Sequence, residues 1–149
     1  MHIVILSGVP GCGKSTYIKN NFDKNEIHVV SADHFFEVNG EYKFDYKQLG
    51  EAHAACLREY VATLMDKSVG YLIVDNTNTS AIEMAPYVSL ATAYGHTCEI
   101  VTLYCDPEIA AARNVHGVPL ESIKRMSEAI DQRVIPRFWN VKVTEANHG

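Results

Sequence analysis

The sequence lacks paired cysteines. Cys12, Cys56, Cys98 and Cys105 form no C-x-x-C pair and no zinc-finger spacing, so free thiols in a reducing compartment are expected. No apolar run approaches the length needed to cross a bilayer, and the N-terminus shows no signal-peptide pattern. Both absences argue against a membrane partner and for a cytoplasmic location. Internal repeats, low-complexity stretches and linkers are also missing, and a chain of 149 residues suits one domain over residues 1–149. Excess positive charge is missing too: the net charge is −5, which excludes a general binder of polyanions. The charge is uneven, however. Residues 111–149 carry six basic and four acidic side chains, either local cations for a phosphate-rich site or an ordinary mixed surface. What is plentiful is apolar side chain, 47% of residues, enough for a proper core.

The most informative stretch is the first sixteen residues. Gly8-Val9-Pro10-Gly11-Cys12-Gly13-Lys14-Ser15 fits G-x-x-x-x-G-K-[ST] at every fixed position. The apolar run Ile3–Leu6 before it reads as a buried strand, and Lys14–Phe22 after it as a helix with Ile18 and Phe22 on one face. The residue types suit a triphosphate. Glycines let backbone N–H groups converge without a Cβ in the way, and the helix start adds free N–H groups and the positive end of its dipole. ATP would lie on Gly8, Pro10, Gly11, Cys12, Gly13, Lys14, Ser15 and Thr16. Lys14 would reach the β- and γ-phosphates, the Ser15 hydroxyl would bind Mg²⁺, and Thr16 would touch the α-phosphate. A dinucleotide fingerprint fits less well, because Thr16 stands where its third glycine should be. Cys12 reads as filler at a variable loop position more readily than as a reactive thiol.

Strand and helix patterns then alternate, which predicts a parallel sheet covered by helices. Ile27–Ser31 reads as the second strand, Tyr71–Val74 as the third and Cys98–Cys105 as the fourth, with Val141–Val143 as a short last strand and a frayed end. A loop is expected over His34–Tyr42, with Asn39-Gly40 as its turn. Its aromatic residues, Phe35, Phe36, Tyr42 and nearby Phe44, suit core packing better than a stacking platform for a base. Asp45–Gln48 resembles a capping box opening a helix to about Lys67, with Leu49, Cys56, Leu57, Tyr60, Val61, Leu64 and Met65 on its inner stripe. His53, on or near that stripe, reads as structural. Ser80–Glu83 is a second capping box, with the main helical segment expected to start at Pro86. Asp106-Pro107 caps a helix through Arg113, a loop covers Asn114–Val118, and Pro119 begins a last helix with Leu120, Ile123, Met126 and Ile130 inward.

Three positions carry chemistry beyond the loop. Asp33 lies just past the second strand, where ligands bind in open α/β sheets. It reads either as a base for an attacking hydroxyl or as a cap. Asp75 ends the third strand, a position suited to acting on Mg²⁺ through water. The Asn76-Thr77-Asn78-Thr79 run after it offers two amides and two hydroxyls as a substrate-reading surface, or a polar turn. Arg113, at a helix end beside a loop, reads equally as a cation over the γ-phosphoryl group or as a solvated end. Arg125, Arg133 and Arg137 are candidates to stack on adenine.

Taken together, the phosphate loop, Ser31-Ala32-Asp33, Asp75-Asn76-Thr77-Asn78 and Arg113-Asn114-Val115-His116-Gly117-Val118-Pro119 resemble the phage-type polynucleotide 5′-hydroxyl kinases. They are similar as well to the small P-loop kinase domains of NEDD4-binding-protein-2-like proteins, over roughly residues 2–135. The resemblance implies a three-layer P-loop NTPase fold with a four-stranded parallel sheet in the order 2-3-1-4, flanked by helices and a C-terminal helical lid. It implies that Asp33 is the general base, that Asp75 and the polar run line the acceptor side, and that Arg113 belongs to the lid. Family members acting on polynucleotide ends carry an arginine three residues after the aspartate; here Phe36 stands there, which puts the acceptor in question.

The expected function is an ATP- and Mg²⁺-dependent kinase, with a nucleic-acid 5′-hydroxyl as preferred acceptor. A nucleoside, sugar or other small-molecule hydroxyl is the next choice. A nucleotide-binding switch without an acceptor is the reading from a different class.

Overall fold

The computed structural model describes residues 1–66 and 68–145. The helix end expected at Lys67 and the fraying expected at the chain's end lie outside the described residues.

Five parallel strands form the central sheet: β1 (His2–Ser7), β2 (Ile27–Val30), β5 (Tyr71–Asp75), β6 (Thr97–Tyr104) and β7 (Val141–Glu145). Their order is β2-β5-β1-β6-β7. The first four reproduce the expected 2-3-1-4 order. β7 extends it, pairing along β6 from Ile100↔Val141 to Tyr104↔Glu145, so the sheet has five strands rather than four. β1 sits in the middle, with β5 on one side (Leu6↔Asp75) and β6 on the other (Ser7↔Thr102). Its Ile3, Val4, Ile5 and Leu6 are fully buried, as a strand covered on both faces requires.

Helices cover the two faces. α2 (Leu49–Asp66) and α3 (Ala81–Ala93) close one, over a core containing Ile3, Ile5, Tyr60, Leu64 and Met84. The other core holds Val4, Leu6, Ala110, Ile123 and Ile130, with Ile18 packed against it. Ile18 comes from α1 (Lys14–Asn21), Ala110 from α4 (Pro107–Arg113), and Ile123 and Ile130 from α5 (Leu120–Gln132). α4 starts as its sequence predicts: Asp106 accepts from Glu108 N at 2.8 Å.

Local structure departs from expectation in two places. α3 begins at Ala81, not Pro86. The Ser80 hydroxyl accepts from Glu83 N at 3.3 Å and the Glu83 carboxylate accepts from Ser80 N at 3.2 Å. This reciprocal cap starts the helix early enough to place Pro86 inside it, at the loss of one backbone bond. Residues 34–42 are not an open loop. A 3₁₀ turn, Ala32–Phe36, runs into a hairpin of β3 (Glu37–Val38) and β4 (Glu41–Tyr42). Asn39 and Gly40 both take positive φ, 53° and 81°, the pattern of a two-residue primed turn. Strands two residues long carry no readable alternation, so only the turn was visible in the sequence.

Among the described residues no helix is long and apolar enough to cross a membrane.

Candidate active site

The phosphate loop leaves β1 at Ser7 and enters α1 at Lys14. Gly8 N donates to Thr77 O at 3.0 Å, which ties the loop to the exit of β5, and Cys12 N donates to Val9 O at 3.1 Å. Gly13, at φ 100°, caps α1 with no side-chain hydrogen bond, so no side chain competes for the first-turn N–H groups. Lys14 Nζ folds back over the loop, donating to Gly8 O at 2.9 Å and Val9 O at 3.1 Å. An anion on the loop would offer the amine an alternative acceptor. Ser15 and Thr16 are exposed in the first turn of α1. Cys12 is fully buried. Burial pushes its thiol up, against a smaller opposing effect of Lys14, so it fills the loop as an inert side chain.

Gly11 is where the loop meets α4. At φ +82°, a Cβ there would lie 2.0 Å from Ala110 O and 2.9 Å from Asn114 N. Both are backbone atoms, of α4's last turn and of the residue that follows it, and cannot move aside cheaply. Gly11→Ala is therefore expected to remove saturable ATP binding and to lower the thermal midpoint, from ~1–3 kcal/mol of strain in φ alone plus the clash. Calorimetric titration with ATP and a thermal melt check both. Arg113 ends α4 beside this contact, exposed to solvent.

Asp33 stands at the exit of β2. The Ser31 hydroxyl caps the 3₁₀ turn by accepting from Asp33 N at 3.2 Å, so Ser31, not Asp33, is the cap. The Asp33 carboxylate is about half exposed. Tyr42 OH donates to its Oδ1 at 3.0 Å. Burial and the nearby Asp33 charge raise the Tyr42 phenol, which keeps it a donor. Asp75, at the end of β5, lies within electrostatic reach of Lys14, Asp33 and His34. Burial raises its carboxyl above the usual range, opposed by Lys14 and reinforced by Asp33.

The run after Asp75 is tied into the backbone around it. Asn76 Oδ1 accepts from Ala32 N at 2.8 Å and its Nδ2 donates to Cys56 Sγ at 3.6 Å. Asn78, at φ 47°, donates from Nδ2 to Leu6 O at 2.7 Å. Thr77 contributes its carbonyl to Gly8 N. These residues pin β5's exit to β1, to the phosphate loop and to the backbone beside Asp33. Asn76 and Asn78 still form part of the wall of a cleft of about 290 Å³ between α2 and α3, with His53, Leu57, Ile82 and Pro86. His53 is exposed at this cleft, not a core histidine. Phe36 is 2% exposed and packs edge-on against Phe35, Tyr42 and Phe44 at 5.0–6.2 Å. It supports Tyr42 from within the core instead of facing an acceptor.

Sequence reasoning missed the partners of Arg133. Its Nη1 donates to Ser7 Oγ and to Asn78 O, both at 2.6 Å, and its Nη2 donates to Thr102 Oγ1 at 2.8 Å. It clamps the carboxyl ends of β1 and β6. The signal was there: Ser7 and Thr102 are fully buried hydroxyls in apolar strands, and such groups need a partner. Tyr42, read from sequence as a core ring in preference to a stacking platform for a base, also emerges as a direct partner of Asp33.

A P-loop at the central strand of a 2-3-1-4 parallel sheet, with an exposed carboxylate at the exit of β2, two strands away, defines a kinase-like P-loop fold. The chain belongs to the AAA domain family AAA_33, which matches residues 3–130. It is 38% identical over 151 aligned residues to human NEDD4-binding protein 2, covering 96% of this chain but 8% of that protein; it thus spans a small part of that relative's length. Among solved structures, a chain of the Pnkp1/Rnl/Hen1 RNA repair complex superposes with a TM-score of 0.68 at 20% identity, covering 87% of this chain and 44% of that one. A gluconokinase from Sinorhizobium meliloti superposes with a TM-score of 0.59 at 13% identity, covering 99% and 84%.

Proposed function

We propose that this domain is an ATP- and Mg²⁺-dependent kinase that transfers the γ-phosphoryl group to a hydroxyl acceptor. The observation that carries the reading is the pairing of Lys14 on the phosphate loop with a solvent-accessible, oriented Asp33 across the half-buried Asp75. A switch that only hydrolyses ATP has no use for a carboxylate held ready on the acceptor side. Asp33 accepts the acceptor's hydroxyl proton; the acceptor oxygen bonds to the γ-phosphorus as the bond to the β–γ bridging oxygen breaks, and ADP leaves with that electron pair. Lys14 neutralises charge on the β- and γ-phosphates, and Arg113 supplies a further cation from the end of α4. Most of this is positioning and electrostatics.

The donor set suits Mg²⁺. Among the described residues no cluster of three or more His, Cys, Asp or Glu side chains could hold a metal ion. Mg²⁺ favours few protein ligands together with phosphate oxygens and water, and Ser15 provides one hydroxyl. The ion, when bound, would screen phosphate charge.

The preferred acceptor is the 5′-hydroxyl of a nucleic acid. The fold likeness to a chain of the RNA repair complex supports it, as does the resemblance of the Asp-Asn-Thr-Asn and Arg-Asn-x-His-Gly-Val-Pro segments to those of phage-type kinases. A small-molecule hydroxyl is the second reading, favoured by the buried Phe36 in place of an arginine and by a cleft near nucleoside size. Salt separates them. Transfer to an oligonucleotide is expected to fall by about tenfold or more between 50 and 200 mM salt, because bound counterions must be released. Equal turnover at both concentrations, with a nucleoside phosphorylated as well as an oligonucleotide, would favour the small acceptor.

A further inference from the structure

The Asp33 carboxylate has a second neighbour that the reaction as described does not use. His116 belongs to the loop between α4 and α5, far along the chain from the hairpin. Its imidazole lies over the Tyr42 ring with centroids 3.9 Å apart and planes inclined by 34°. Its Nε2 faces Asp33 Oδ2 at 3.9 Å, while Tyr42 OH holds Oδ1 at 3.0 Å. The loop that presents it is closed on itself. Asn114 Oδ1 accepts from Val118 N at 2.9 Å, and Asn114 Nδ2 donates to Ala111 O at 2.9 Å and to Val118 O at 3.2 Å. At its other end the loop continues from the last turn of α4, which packs on Gly11 of the phosphate loop. One continuous run of contacts thus links the phosphate loop to the Asp33 carboxylate through α4, Asn114, His116 and Tyr42.

We propose that His116 is a positioning residue for Asp33. Stacked on Tyr42, it holds the phenol against Oδ1 and offers Nε2–H toward Oδ2, so the carboxylate keeps one orientation while each oxygen retains a lone pair for the acceptor's proton. A pair this exposed, and longer than a hydrogen bond, adds little stability; its effect lies in restricting the carboxylate's rotation. Because His116 and Arg113 are carried by the same short segment, an orientation that depends on His116 also depends on that segment's seat against the phosphate loop. The proposal rests on the reading of Asp33 as the base.

The test has a kinetic arm and a spectroscopic arm. With a 5′-hydroxyl DNA oligonucleotide as acceptor, His116→Ala is expected to lower kcat about tenfold, a fraction of what a general base contributes. KM for ATP should stay within twofold. His116→Gln, which retains an N–H donor, should recover most of the loss, and Asp33→Ala with His116→Ala should be no slower than Asp33→Ala alone. Unchanged kcat, a parallel rise in KM for ATP, or losses that multiply would overturn the proposal. In the spectroscopic arm, the ring-current-shifted imidazole protons of His116 should move downfield in Tyr42→Leu and shift in Asp33→Asn. Resonances at unstructured positions, or indifferent to both changes, would also overturn it. If no acceptor takes label, the kinase reading fails by itself and the spectra still decide whether His116 is held against Tyr42 and Asp33.

Discussion

Lys14→Ala is expected to lower phosphoryl transfer by at least about a thousandfold, the loss that follows removal of a preorganised cation facing charge that develops in the transition state. The structure gives the reason in its resting geometry. Lys14 Nζ is already over the loop, bonded to Gly8 O and Val9 O, so a triphosphate meets an amine that needs only to exchange acceptors. The fold should survive, because these two bonds join the side chain to its own loop and bury no apolar surface. Circular dichroism and a melt within a few degrees of the parent would establish that. A mutant close to full activity would remove the loop from the account.

The second large effect is expected at Asp33. Asp33→Ala should reduce transfer by about 10²–10⁴-fold, the range of a general base, while the dissociation constant for ATP stays within twofold. This separation follows from placement. Asp33 is exposed on the 3₁₀ turn after β2, and its side chain contacts Tyr42 and His116 rather than the phosphate loop. Its backbone is held independently by Ser31, and the preceding Ala32 N–H by Asn76. Removing the carboxylate should therefore leave the turn in place. Measuring ATP binding by calorimetry beside the transfer rate decides it; equal loss of both would make Asp33 structural.

How much of this could be read from the sequence depended on the length of each signal. The phosphate loop was legible because a fixed spacing, a buried strand and a helix coincide there. The parallel sheet followed from alternating patterns and its strand order from the family resemblance alone, and Asp106 and Asn39-Gly40 marked their turns by local chemistry. What escaped was long-range partnership. Asn76 and Asn78 are polar in sequence but bond to Ala32 N and Leu6 O, contacts that exist only once β5 lies between β2 and β1. Phe36 occupies the place of a substrate-binding arginine but points into an aromatic cluster. Arg133 clamps Ser7 and Thr102 across more than thirty residues in either case. The Tyr42–His116 stack joins segments whose proximity no periodicity could announce.

The central claim is that this chain moves a phosphoryl group from ATP to a hydroxyl with Asp33 as base. The most direct test is transfer from γ-labelled ATP with Mg²⁺ to a 5′-hydroxyl DNA oligonucleotide, the matching RNA and a panel of nucleosides, with Asp33→Ala in parallel. The account predicts label on one of these acceptors, lost in the mutant. Bound ATP with inorganic phosphate as the only labelled product, released at the same rate by both proteins, would contradict it.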